Sequence, residues 1–124
     1  MRELVKTFKA LSDESRLRAL SLLLERECCV CEVMQTLDIS QSKASRILST
    51  LYDAGFLKLR KDGLWSLYSI DWEGMEAYLN DMVKATARAF EGNKQMEIDR
   101  ERLKKTQRVG QGCAGRMCTE KVGF

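Results

Sequence analysis

The sequence changes period at Gly55, and that change restricts the chain to few architectures. Before it, in SQSKASRILSTLYDAG, residues Ala44, Ile47, Leu48 and Leu51 recur at i, i+3, i+4 and i+7, the spacing of one buried helix face. Gln41, Ser42, Lys43, Ser45, Arg46 and Ser49 are left outside, and Ser40 is placed to cap the helix. After it, FLKLRKDGLWSLYSI alternates apolar and polar residues around Asp62-Gly63, a dipeptide suited to the positive φ of a tight hairpin turn. A helix with a polar outer face thus runs directly into a two-stranded ribbon.

The rest of the chain reads as helices. Leu4, Phe8 and Leu11, widened by Val5, predict a short first helix with one buried stripe. Ser12-Asp13 offers N-cap chemistry to a second helix carrying Leu17, Leu20 and Leu24 on one face. A third is expected from Cys29 to Leu37, broken at Asp38-Ile39-Ser40 before the polar-faced fourth. A fifth is expected from about Trp72 to Phe90, closed by Gly92. From Asn93 onward a polar extension helix gives way to a Gly-containing tail. The expected fold is mainly α with a small β-hairpin, a winged helix-turn-helix. Residues 1–92 would form the DNA-binding and dimerisation domain, and residues 93–124 the helical extension and Cys-containing tail.

Charge placement gives this fold a direction. The net charge of +3 is mild, but residues 41–61 hold Lys43, Arg46, Lys58, Arg60 and Lys61 against Asp53 alone. Two short helices joined by a tight turn, the second polar and basic outside, suit entry into a major groove of double-stranded DNA. Ser40, Gln41, Ser42, Lys43, Ser45, Arg46 and Ser49 are placed to reach base edges and backbone. Lys58, Arg60 and Lys61 would approach phosphates from the wing. The first twenty residues carry charges throughout, unlike a secretory signal, and no segment has the roughly 18 apolar residues of a membrane span. A cytoplasmic protein without membrane contact is the expectation. In that reducing compartment, clustered cysteines act more often as metal-binding or redox-active thiols than as disulfide staples.

The run from FKALSDESRLR through SQSKASRIL to GLWSLYSI closely resembles the ArsR-type (ArsR/SmtB) metalloregulatory repressors over roughly residues 5 to 70. The resemblance implies a homodimer built on the first and last helices, an imperfect palindromic operator, and release of DNA when an inducer binds. The chain departs from the family pattern at Ser42, where Pro is common, and at Ile47, where His is common. Its ECCVCEV segment resembles the ELCVCDL motif of arsenic-responsive members, which maps the cysteine pair onto Cys29 and Cys31. Thiolates select soft centres, so trivalent arsenic or antimony is the expected inducer, with no organic cofactor. The family's third thiol falls where this chain has Met34, leaving Cys28, Cys113 or Cys118 to complete a three-sulfur site.

Two physical expectations attach to the pair. A helix N-terminus should lower the thiol pKa. Residues i and i+2 of a helix point about 200° apart, so one centre bound by both should distort the turn. The chain has no histidine, which argues against histidine-based zinc, nickel or cobalt sites and against a Ser-His or Cys-His enzyme. No enzymatic activity is expected. An all-Cys cadmium, lead or zinc sensor and a thiol-based redox or persulfide sensor stay open as alternatives.

Overall fold

The computed structural model describes residues 1–108. Helices α1 (Arg2–Leu11), α2 (Glu14–Glu25), α3 (Val30–Leu37) and α4 (Gln41–Asp53) are followed by strands β1 (Leu57–Asp62) and β2 (Trp65–Ile70), then α5 (Ala77–Ala89) and α6 (Lys94–Lys104). The strands pair antiparallel, Leu57 opposite Ile70 through Asp62 opposite Trp65. This is the expected winged helix-turn-helix order. Leu20, Leu22, Val33, Leu48, Leu51, Phe56 and Leu67 are fully buried, so the core lies between α2, α3, α4 and the root of the hairpin.

Local chemistry sets the boundaries. The Asp13 carboxylate accepts the Arg16 N–H at 3.0 Å and starts α2. The Ser40 hydroxyl accepts the Lys43 N–H at 3.1 Å and starts α4. Between α3 and α4 the chain reverses at Asp38, whose φ of 56° is the left-handed conformation that aspartate tolerates better than most residues. Gly55 ends α4 at φ 95°, where a side chain would be strained and would also press within 3.3 Å of Leu79.

Three expectations shift. The hairpin turn falls one residue later than Asp62-Gly63, on Gly63-Leu64, because Asp62 still pairs with Trp65 and Gly63 supplies the positive φ of 61°. The fifth helix starts at Ala77 rather than near Trp72, because the Asp71 carboxylate accepts the Gly74 N–H at 3.0 Å and holds a turn there. On α1 the stripe Leu4, Val5 and Phe8 is exposed, Phe8 by 57%, and the buried residues are Thr7 and Ala10. Thr7 is accommodated because its hydroxyl donates to the Glu3 carbonyl at 2.9 Å.

α6 does not trail away from the core. The Asn93 side chain caps it, and Met96 and Leu103 join the apolar cluster. Asp99 is fully buried and receives two hydrogen bonds from the Arg18 guanidinium, at 2.8 and 2.9 Å, and one from Gln95 at 2.9 Å. This pairing fastens α6 to α2 and brings residues 103–108 back over α3.

Candidate functional site: a thiol pair beneath a DNA-reading face

Cys29 is the N-cap of α3 and not its first helical residue; its φ of −91° and ψ of 171° are extended. That local geometry reverses the expectation that Cys29 and Cys31 diverge. Their Sγ atoms stand 3.5 Å apart, and both residues are fully buried. With metal–sulfur bonds of about 2.3 Å, two sulfurs on one centre lie roughly 3.3 to 3.8 Å apart for bond angles of about 90 to 110°. The pair is therefore spaced for a shared soft centre without unwinding α3. Cys28 and Cys29 are free thiols, whereas Cys31 is disulfide-bonded, its partner lying beyond the described residues.

Burial, not the helix terminus, dominates thiol acidity. It pushes the Cys29 thiol up to about 11, with the Glu32 carboxylate adding to the rise and backbone hydrogen bonds opposing it. It pushes Cys28 up to about 12, again with Glu32 adding. The expected lowering by the helix N-terminus is overturned at these two positions, because desolvation of a thiolate in an apolar core outweighs a partial dipole charge.

Glu32 organises the motif. Its carboxylate accepts the Cys29 N–H at 2.9 Å, closing a capping box in which cysteine takes the place usual for serine or threonine. Arg26 donates to it at 2.8 Å and Arg108 at 3.2 Å. Burial would raise the Glu32 pKa, but the Cys29 N–H and the two guanidiniums more than offset it, and the carboxyl sits below its ordinary value. The segment after α6 closes the site: the Gln35 amide donates to the Gln107 carbonyl at 2.7 Å, and that carbonyl lies 4.0 Å from the Cys31 sulfur. Sequence reasoning missed Glu32, although its spacing three residues after the cap was the available signal. Nothing in the sequence marked Arg26, Gln35 or Arg108.

The third candidate thiol is placed differently. The Cys28 sulfur faces the Arg26 carbonyl at 3.5 Å, while its backbone forms a bridge with Tyr68 of β2. Cys113 and Cys118 lie outside the described residues. Among the described residues no group of three Cys, His, Asp or Glu side chains gathers as a metal cage.

Above this motif, Ser42, Lys43, Ser45, Arg46 and Ser49 line the exposed side of α4, with Gln41 half-buried at its start. Ser40 is committed to capping. On the wing Lys58, Arg60 and Lys61 are exposed; Lys61 donates to the Ser66 hydroxyl at 2.6 Å, and Arg60 is paired with Glu27. α3 packs on α4, so the thiol pair lies at the base of the helix-turn-helix unit.

Residues 13–64 match the family model described as bacterial regulatory protein, arsR family. The chain is 41% identical over 83 residues to the arsenic resistance transcriptional regulator ArsR2 of Pseudomonas putida, covering 66% of this chain and 71% of that one. It is 43% identical over 72 residues to a cadmium resistance regulatory protein CadC homolog of Staphylococcus aureus, covering 57% and 60%. Its structure resembles the transcriptional repressor BigR of Xylella fastidiosa, with a TM-score of 0.61 and 27% identity over 75% of this chain and 88% of that one. Among the described residues no helix is long and apolar enough to cross a membrane. The polar α4 face, the basic wing and these similarities agree: the chain belongs to the arsR family, and it is a DNA-binding transcriptional repressor rather than an enzyme.

Proposed function

We propose that this repressor binds a palindromic operator as a homodimer and releases it when trivalent arsenic or antimony bonds to Cys29 and Cys31. The observation that carries the reading is the 3.5 Å separation of the two sulfurs at the cap of α3, directly beneath α4. A third thiol would come from the tail. Gln107 already reaches the pair, and Cys113 is six residues further on, a span of at most about 20 Å when extended, so Cys113 and Cys118 are both within reach. Cys28 is the less favoured third ligand, since its sulfur faces the Arg26 carbonyl. The exposed Leu4, Val5 and Phe8 of α1 supply an apolar face for a second copy.

On DNA, we assign Gln41, Ser42, Ser45, Arg46 and Ser49 to the groove and Lys43, Lys58 and Lys61 to phosphates, with Ser40 holding the helix start. Arg46→Ala is expected to weaken operator binding by about 10- to 100-fold, the loss of one bidentate base contact, with an unchanged thermal transition. Fluorescence anisotropy with operator and scrambled duplexes checks this; equal affinity to wild type removes Arg46 from the reading set.

Protonated buried thiols favour arsenic over a divalent cation. At neutral pH arsenous acid is uncharged. Each As–O bond exchanged for As–S moves one thiol proton onto the departing hydroxide as water, so no net proton is released. A cadmium or zinc ion must instead expel a proton from every thiol it binds. Titration of the phosphine-reduced protein between pH 6 and 8 tests the reading. Arsenite affinity should stay nearly flat, while cadmium affinity should climb about tenfold per pH unit for each thiol engaged, given pKa values far above this window. Release of operator by cadmium at lower free concentration than arsenite would overturn the arsenic assignment.

The disulfide at Cys31 supports a second reading, a thiol redox sensor. Operator release by peroxide with no release by arsenite from the reduced protein would establish it instead.

A further inference from the structure

The residues immediately before the thiol pair grip both strands of the wing. Cys28 is bonded through its backbone to Tyr68 of β2, N–H to carbonyl at 3.0 Å in one direction and 2.9 Å in the other. Glu27 holds Arg60 of β1 through both carboxylate oxygens, with Arg60 Nε 3.0 Å from Oε2. Tyr68 in turn meets α4: its ring sits edge-to-face with Tyr52 at 6.3 Å and 81°, and its phenol is hydrogen-bonded with Ser49. The segment 27–28 is therefore a short third rail of the hairpin, continuous in sequence with Cys29 and Cys31.

We propose that the wing is the lever through which the thiol pair acts on DNA, and that Arg60 is a positioning residue, a strut to Glu27, and not a phosphate contact. A centre bound at Cys29 and Cys31 that shifts residues 28–31 carries Glu27 and Cys28 with it. The hairpin must follow, because its two strands are tied to those residues. Tyr68 passes the displacement to Tyr52 and Ser49 on α4, so wing and recognition helix lose register together. Arg60 cannot serve two masters at close range: a guanidinium engaged bidentately by a carboxylate is neutralised toward a neighbouring phosphate. Lys58 and Lys61 carry the wing's contact with the DNA backbone. This regulation rests on the reading that a thiol ligand is the inducer, but the role of Arg60 does not.

The test uses the full chain with Glu27→Gln, Arg60→Gln, their double variant, and Lys58→Gln as reference, all at exposed or half-exposed positions. Operator affinity is measured at several salt concentrations, with and without arsenite, after phosphine reduction. Lys58→Gln should reduce the slope of log K against log salt by about 0.9, the signature of one lost phosphate contact, while Arg60→Gln leaves the slope unchanged. The weakening caused by arsenite should shrink about twofold to fivefold in Glu27→Gln and in Arg60→Gln, and no further in the double variant, as for two members of one exposed pair. A slope reduced by about 0.9 in Arg60→Gln would make Arg60 a phosphate contact and overturn the strut. An undiminished arsenite effect in Glu27→Gln, or additive effects in the double variant, would overturn the lever. If arsenite fails to weaken wild-type binding, the inducer reading falls, and the salt slope of Arg60→Gln still decides the strut.

Discussion

Cys29→Ser and Cys31→Ser are expected to retain operator binding within about threefold and to lose arsenite-driven release, the half-release concentration rising by more than about 100-fold. Removing only an orienting partner of a metal ligand costs about 10- to 100-fold in affinity, so removing a ligand should cost more. The two variants differ in what they do to the fold, which makes the pair informative. At position 29 serine replaces cysteine as an N-cap, a role for which serine is the better residue, so α3 should be held at least as firmly. At position 31 the new hydroxyl is fully buried and costs about 1–3 kcal/mol if unpaired. Equal loss of response despite opposite effects on stability would place the cause in sulfur chemistry. Cys28→Ser should still respond, because the Cys28 sulfur is turned toward the Arg26 carbonyl. Electrophoretic mobility shift of the operator complex over an arsenite series, beside thermal melts of each variant, checks this; wild-type response in both Cys29→Ser and Cys31→Ser sinks the proposed inducer site.

The fold was legible wherever periodicity and burial coincide within one chain. Ala44, Ile47, Leu48 and Leu51 are all buried, as their spacing required, and the hairpin follows at the period change. The α1 stripe failed that test for a reason visible in the structure: periodicity reports an apolar face, and whether the chain itself covers that face is a separate question. Leu4, Val5 and Phe8 are left uncovered. The cysteine pair was legible as a pair and misread as geometry. Placing Cys29 inside the helix made its sulfur diverge from that of Cys31, whereas one residue's difference in the helix start brings them to 3.5 Å. Boundary shifts of that size are ordinary, and here one decides whether a ligand must break the helix. The acidity of the thiols was beyond reach, since it depends on the depth of burial set by α6 and residues 103–108, elements whose docking the polar composition of the extension does not announce.

That docking rests on one buried ion pair, and Arg18→Leu is expected to lower stability by about 3 kcal/mol, at the lower end for a broken buried pair because Gln95 still donates to Asp99. The carboxylate is fully buried, so without the guanidinium its charge lacks the partner that offsets desolvation. The double variant Arg18→Leu with Asp99→Leu should recover most of the loss, since an apolar pair of similar volume is about as stable as a buried ion pair. Urea unfolding gives the stability, and amide hydrogen exchange over residues 94–104 gives the location: faster exchange confined to α6 in Arg18→Leu is the expected pattern. The consequence reaches the thiols. α6 delivers the Leu103 carbonyl and Thr106 to Arg26, Gln107 to Gln35 and Arg108 to Glu32, so a released α6 uncovers the capping box of Cys29. Reaction of Cys29 with a thiol-specific reagent should then accelerate in Arg18→Leu and return toward the wild-type rate in the double variant. Unchanged stability together with unchanged thiol reactivity in Arg18→Leu would show that α6 is not what closes the site.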